Sequence, residues 1–125
     1  MELNYDCIRD LLLEIEKVTT FNKSFTLFSN LENLQKYERE ELQYHLRQCS
    51  LAGFLYKYQP FMDGDISVSD LSFQGHEFLH SIRTDKVWSK TKDICKELGI
   101  KTLNGILQIS SQIISQIISN KLGIG

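Results

Sequence analysis

Proline is nearly absent from this chain: Pro60 is its one instance in 125 residues. With no stretch poor in apolar residues either, the sequence is not that of a disordered or proline-rich linker protein. Long apolar runs are also missing, and nothing approaches the ~20 consecutive apolar residues of a membrane-spanning helix. The Ile-rich end fails that test because Ser and Gln keep interrupting it. The start, Met1-Glu2-Leu3-Asn4-Tyr5-Asp6, has neither a basic cluster nor an apolar run, so no secretory signal is expected. Cys7, Cys49 and Cys95 are odd in number, far apart and without a C-x-x-C pair, which argues against a disulfide framework and against a zinc motif. Each falls in a helical pattern, where cysteine is most often a small buried hydrophobe, and a reducing cytoplasm is the expected location. No Gly-rich phosphate loop, nucleophile elbow or paired-carboxylate arrangement stands out. The expectation is a protein that is not an enzyme and needs no cofactor and no metal.

The residues that are present describe an ordinary globular protein, with 42% apolar and 24% charged side chains in a length that suits one domain. The net charge of −2 is unevenly spread. Residues 1–50 hold 6 basic and 9 acidic side chains, whereas residues 84–125 hold 6 basic and 3 acidic, including Lys86, Lys90, Lys92, Lys96 and Lys101. A basic footprint over the whole chain is therefore absent, though a local patch remains open.

Asn4 is a good N-cap, and Ile8, Leu11, Leu12, Ile15 and Val18 recur at helical spacing behind it. Residues 19–24 read as a loop and residues 25–28 as a short strand. Ser29 with Glu32 three positions on supplies a capping box, which predicts a short helix ending near Tyr37. A second helix follows at residues 38–50, with Leu42, His45, Leu46 and Cys49 on one face and Gly53 as its left-handed stop. Residues 54–58 alternate as a strand, residues 59–65 read as a loop around Pro60 and Gly64, and Ile66 to Leu71 form the returning strand. Helix, helix, strand, loop, strand is the order of a winged helix-turn-helix, expected over residues 25–83. Three more helices are predicted: residues 73–83 capped by Ser72, residues 85–98 capped by Thr84 and stopped by Gly99, and a last one between Thr102 and Gly123. In that last helix Ser111-Gln112-Ile113-Ile114 repeats as Ser115-Gln116-Ile117-Ile118. A four-residue repeat drifts only ~40° per unit around a helix, so the isoleucines stay in one broad stripe. The expected class is mainly α (α+β), with a winged-helix-like domain over residues 1–101 and a C-terminal amphipathic helix over residues 102–125.

Several stretches resemble an uncharacterised family of small bacterial and phage or prophage proteins. They are Leu3-Asn4-x-Asp6-x-Ile8-Arg9-Asp10-Leu11-Leu12-Leu13-x-Ile15-Glu16, Tyr44-His45-Leu46 followed by Ala52-Gly53, and Leu71-Ser72-Phe73-Gln74-Gly75-His76-Glu77-Phe78-Leu79. The likeness continues through Ile82-Arg83-x-Asp85-x-Val87-Trp88-x-Lys90-Thr91, so it covers most of residues 1–92. It implies a mobile-element context in a low-GC Gram-positive bacterium or its phage, and transfers no catalytic residue. The segment from Tyr44 to Leu79 is also similar to winged-helix regulators, with Ser72 where Thr is usual.

Three constellations bear on function. His76-Glu77-Phe78-Leu79-His80 is a literal H-E-x-x-H, the spacing that sets two zinc ligands and a general base on one helical face. Here His76, Glu77 and His80 fall opposite the stripe of Phe78, Leu79 and Ile82, which predicts solvent rather than a shielded cleft. The second is the exposed face of the helix at residues 38–50, where Arg39, Gln43 and Arg47 repeat every fourth position beside Tyr44 and Gln48. Arg and Gln make paired hydrogen bonds to base edges, and Lys36 and Lys57 are candidates for phosphates. The first expectation is a small DNA-binding transcription regulator acting as a dimer. Glu38, Glu40 and Glu41 at the start of that helix stand against it, and the alternative is a phage-encoded module that binds and inhibits a host defence or replication protein. The third is the terminal stripe of Leu103, Ile106, Leu107, Ile113, Ile114, Ile117 and Ile118. Burying seven such side chains is worth roughly 10–20 kcal/mol gross, so it either docks on the body or forms a homodimer. Its Ser and Gln face does not suit a membrane surface, which wants cations there.

Overall fold

The computed structural model describes residues 1–124. Gly125, the end of the expected terminal segment, lies outside the described residues. The architecture is mainly helical with one small antiparallel sheet, an α+β arrangement. Contacts divide the chain into two compact units, Met1–Leu79 and His80–Gly125.

The first unit opens with α1 (Tyr5–Val18), whose cap is Asn4: its side chain accepts the Cys7 N–H. Cys7, Ile8, Leu11, Leu12 and Ile15 are the buried stripe of that helix, and α1 packs against α2 and β3. A two-residue strand, β1 (Phe25–Thr26), comes next, shorter than the periodicity predicts. The chain then turns into a 3-10 helix, Phe28–Leu34. The predicted capping box at Ser29 does not form: the cap position is Leu27, and no side chain bonds there in the expected way. The Asp65 carboxylate instead accepts the Phe28 N–H at 2.9 Å, so a residue 37 positions away satisfies this helix start.

Helix α2 (Arg39–Leu51) buries Leu42, His45, Leu46 and Cys49, the four residues the pattern set on one face. Gly53, at φ 81, stops it in the left-handed region where only glycine is unstrained. Strand β2 (Leu55–Pro60) extends into the segment read as a loop. The sheet order β1-β3-β2 makes β2 an edge strand, and an edge tolerates a proline because it needs no further N–H there. Strand β3 (Ile66–Leu71) is central, pairing antiparallel with both neighbours, Val68 opposite Phe25 on one side and Tyr58 on the other.

Helix α3 (Phe73–Ile82) begins as Ser72 predicts, the hydroxyl accepting the Gly75 N–H at 3.0 Å and donating to the Gly53 carbonyl. Gly75 sits against the Phe54 carbonyl, 2.2 Å from where a Cβ would lie, so only glycine lets α3 approach the residue leading into β2 this closely. Stacking of Phe54 on Phe78, centroids 4.7 Å apart, continues that contact.

In the second unit α4 (Asp85–Leu98) and α5 (Leu103–Leu122) pack together. Their caps are those the sequence predicts: Thr84 and Thr102 accept N–H groups of Val87 and Gly105, and Gly99 and Gly123 close the two helices in the left-handed region. Val87, Trp88, Thr91 and Cys95 are the buried side of α4, and Ile106, Ser110 and Ile113 that of α5. No helix among the described residues is long and apolar enough to cross a membrane.

Candidate interaction surface on α2 and its hairpin

The exposed side of α2 faces the β2–β3 hairpin, and the two enclose a groove of about 300 Å³. Glu40, Gln43, Tyr44 and Arg47 line it from the helix, and Tyr58, Pro60 and Phe61 line it from the hairpin. The helix is oriented by His45, which is fully buried. Its Nε2 lies 2.8 Å from the Asn4 backbone nitrogen, which can only donate, so Nε2 is the acceptor. The proton therefore sits on Nδ1 and is given to the Glu41 carbonyl at 2.8 Å. A neutral imidazole of fixed tautomer thus ties the cap of α1 to the first turn of α2.

The glutamates at the start of α2 have a local role. Glu38 is the cap residue, and Glu40 and Glu41 occupy the first turn, where negative charge offsets the positive end of the helix dipole. No side-chain hydrogen bond caps this end, so the carboxylates supply the favourable term there.

The structure brings only part of the predicted face together. Gln43 is committed: its Nε2 donates to the Gly64 carbonyl at 2.8 Å and holds the hairpin loop against α2. Tyr44 is half-buried, its hydroxyl donating to the Met1 carbonyl at 3.2 Å. Arg47 is exposed, with its guanidinium 5.7 Å from the Tyr44 ring centroid. Gln48 is half-buried on the same helix. Arg39 leans over the Phe28 ring at 4.7 Å. Lys57 is exposed on β2, over the Tyr56 ring at 5.3 Å, and its φ of 58 makes it the one non-glycine residue with left-handed backbone among those described.

Lys36 belongs to a different site. Its Nζ lies 3.6 Å from the Asp10 carboxylate, in a second groove of about 290 Å³ lined also by Glu14, Asn33 and Tyr37. Asp10 accepts the Tyr37 hydroxyl at 2.6 Å, and Asn33 donates to Glu14 at 2.9 Å. Burial, followed by that hydrogen bond, pushes the Tyr37 phenol well above its ordinary range.

His76, Glu77 and His80 are all exposed, as the helical wheel predicts. His76 Nε2 stands 3.7 Å from Asp70 Oδ1, and among the described residues no three His, Cys, Asp or Glu side chains are grouped to hold a metal ion. Cys7, Cys49 and Cys95 are free and buried, the small-hydrophobe placement expected of them. Burial pushes the Cys7 and Cys49 thiols up to about 12.

In the terminal stripe, Ile106 and Ile113 are buried within the chain, Leu103, Leu107, Ile114 and Ile117 are half-buried, and Ile118 is exposed. Sequence reasoning missed Tyr58, Phe61 and Asp65 as parts of the α2 surface. Phe61, half exposed beside the lone proline, was the available signal.

Comparison with known proteins adds lineage. The model of the family described as "Hypothetical protein (DUF2513)" matches residues 2–101, ending just before α5. An uncharacterized protein of Haemophilus influenzae is 29% identical over 122 residues, which is 95% of this chain and 100% of that protein. No solved structure matches.

Proposed function

The chain belongs to the DUF2513 family of hypothetical proteins, and we propose that it is a non-enzymatic winged-helix protein that acts by binding a protein partner. The winged-helix assignment rests on the element order α1, β1, 3-10 helix, α2, β2, β3 and on the sheet order β1-β3-β2, with a hairpin following the second helix of the pair. The first helix of that pair is a seven-residue 3-10 helix, a shortened version of the motif.

One observation carries the choice of partner. The unit Met1–Leu79 holds 7 Lys and Arg against 13 Asp and Glu, a net charge of −6 with His neutral. Duplex DNA carries a negative charge every ~1.7 Å, and its non-specific affinity comes almost wholly from cations that replace counterions. Glu38, Glu40 and Glu41 stand at the end of α2 that a recognition helix brings to the groove. Gln43, the residue best suited to read adenine, is occupied by Gly64. What α2 and its hairpin offer instead is Arg47 beside Tyr44, with Tyr58 and the half-exposed Phe61 opposite. Arginine and aromatic side chains dominate the energetics of protein interfaces. Resemblance to phage and prophage proteins supports a mobile-element setting, in which a host defence or replication protein is the partner.

A DNA-binding regulator is the second reading, favoured by the exposed Arg39, Arg47 and Lys57. Affinity capture from host lysate, with and without nuclease, separates the two. The protein reading expects one stoichiometric partner that survives nuclease and is lost on Arg47→Glu with Tyr44→Ala. Captured material that disappears with nuclease overturns it.

A further inference from the structure

The apolar stripe of α5 is wider than the side the chain itself covers. Ile106, Ser110 and Ile113 are buried, while an adjacent seam of Leu107, Ile114, Ile118 and Leu122 is left half or fully open. Ile118 is 51% and Leu122 66% exposed, and Ile124 just beyond the helix is 61% exposed. From Leu107 the seam residues follow at intervals of 7, 4 and 4, the spacing that keeps side chains on one face of a helix that pairs with another. Such a seam spans about 22 Å at ~1.5 Å per residue.

We infer that this seam is where a second copy of the chain docks, α5 against α5. The occupant follows from charge. Leu103 to Asn120 contain no Asp, Glu, Lys or Arg at all, and only Lys121 precedes the helix end. A strongly acidic or basic partner finds no counter-charge there, and an anionic membrane surface finds no row of cations. The identical helix is the partner for which neutrality is an advantage: a two-fold contact sets the same patch on both sides, so a net charge on the seam would face its own sign. Ser111 between Leu107 and Ile114 is small enough to admit a knob from the facing helix. A helix pair this short buries less than the ~800 Å² per partner of a typical stable interface, so the dimer is a dissociable one. The inference is independent of which partner the first unit binds.

Sedimentation equilibrium of the full chain tests it, loaded from roughly 1 to 200 μM to bracket a micromolar affinity. The mass is expected to rise with concentration from 14.5 kDa toward twice that value. Ile118→Glu is expected to stay monomeric throughout with an unchanged circular-dichroism spectrum. Gln112→Glu, on the exposed polar side of α5, is expected to behave as wild type. A wild-type monomer at every concentration overturns the inference, as does an Ile118→Glu protein that still dimerises or equal dissociation by both variants. A monomer that sediments with anionic phospholipid vesicles would give the seam to lipid and overturn it as well.

Discussion

Replacing Gly75 by alanine sets two effects of known size against each other. In an exposed helix the change stabilises by about 1 kcal/mol, since glycine is the poorer helix former. Here the new Cβ would lie 2.2 Å from the Phe54 carbonyl oxygen and 3.0 Å from its carbon, both backbone atoms. The same carbonyl accepts the Ser72 N–H at 2.9 Å, and Ser72 anchors the start of α3 to Gly53, so neither side of the contact is free to retreat. Overpacking of this kind costs typically 1–3 kcal/mol and more where backbone must move. The clash wins, and Gly75→Ala is expected to destabilise by about 1–3 kcal/mol, lowering the melting temperature by about 4 °C per kcal/mol. Urea and thermal denaturation followed by circular dichroism measure it. Gly105→Ala is the control: its Cβ would meet the Ile100 Cγ2 at the same 2.2 Å, but that atom belongs to a half-buried side chain that can turn away. Gly105→Ala should therefore cost clearly less than Gly75→Ala. A Gly75→Ala protein as stable as wild type would refute the close approach of α3 to the Phe54 backbone.

Other outcomes follow from single contacts. His45→Leu keeps the volume of a fully buried side chain but removes the acceptor for Asn4 N–H and the donor to the Glu41 carbonyl, so a loss of about 1–3 kcal/mol in denaturant titration is expected. Wild-type stability in that variant would contradict the assigned tautomer and its two bonds. Gln43→Ala frees the Gly64 carbonyl, and hydrogen exchange of the hairpin loop should quicken roughly 2- to 10-fold, as a net bond of 0.5–1.5 kcal/mol implies, with α1 unchanged. The thiols of Cys7 and Cys49 hold their protons to about 12 in the folded chain, against an ordinary value of 9.0. The unfolded chain therefore loses these protons first, so their contribution is complete below pH ~9 and declines as pH rises from there toward ~12. Denaturation midpoints should fall across that window, and less steeply in Cys49→Ala relative to its own value at neutral pH.

Local signals were the legible part of this sequence. Asn4, Ser72, Thr84 and Thr102 cap the helices they were expected to cap, because a capping bond joins residues three apart and needs nothing from the rest of the fold. The buried stripe of α2 was equally plain from its spacing. What escaped was decided at long range. Ser29 lost its role to Asp65, and Pro60 stayed in a strand because β2 lies at the sheet edge. The candidate surface shows the same division. Periodicity found Arg39, Gln43 and Arg47 on one side of α2, but not that Gly64, across the hairpin, takes the Gln43 amide. Nor could it tell that the hairpin would bring Tyr58 and Phe61 opposite Tyr44.

The claim that the α2 surface serves a protein rather than DNA meets its most direct test in one titration. A fluorescein-labelled random duplex at low salt is titrated with the full chain and followed by anisotropy. Non-specific DNA binders have dissociation constants of about 10⁻⁴–10⁻⁶ M at physiological salt and bind more tightly below it. With a net charge of −6 on the unit that carries α2, no change is expected up to about 50 μM protein, well inside the range where such a binder saturates at low salt. Saturable binding at micromolar protein that weakens steeply with added salt would contradict the account and return α2 to DNA.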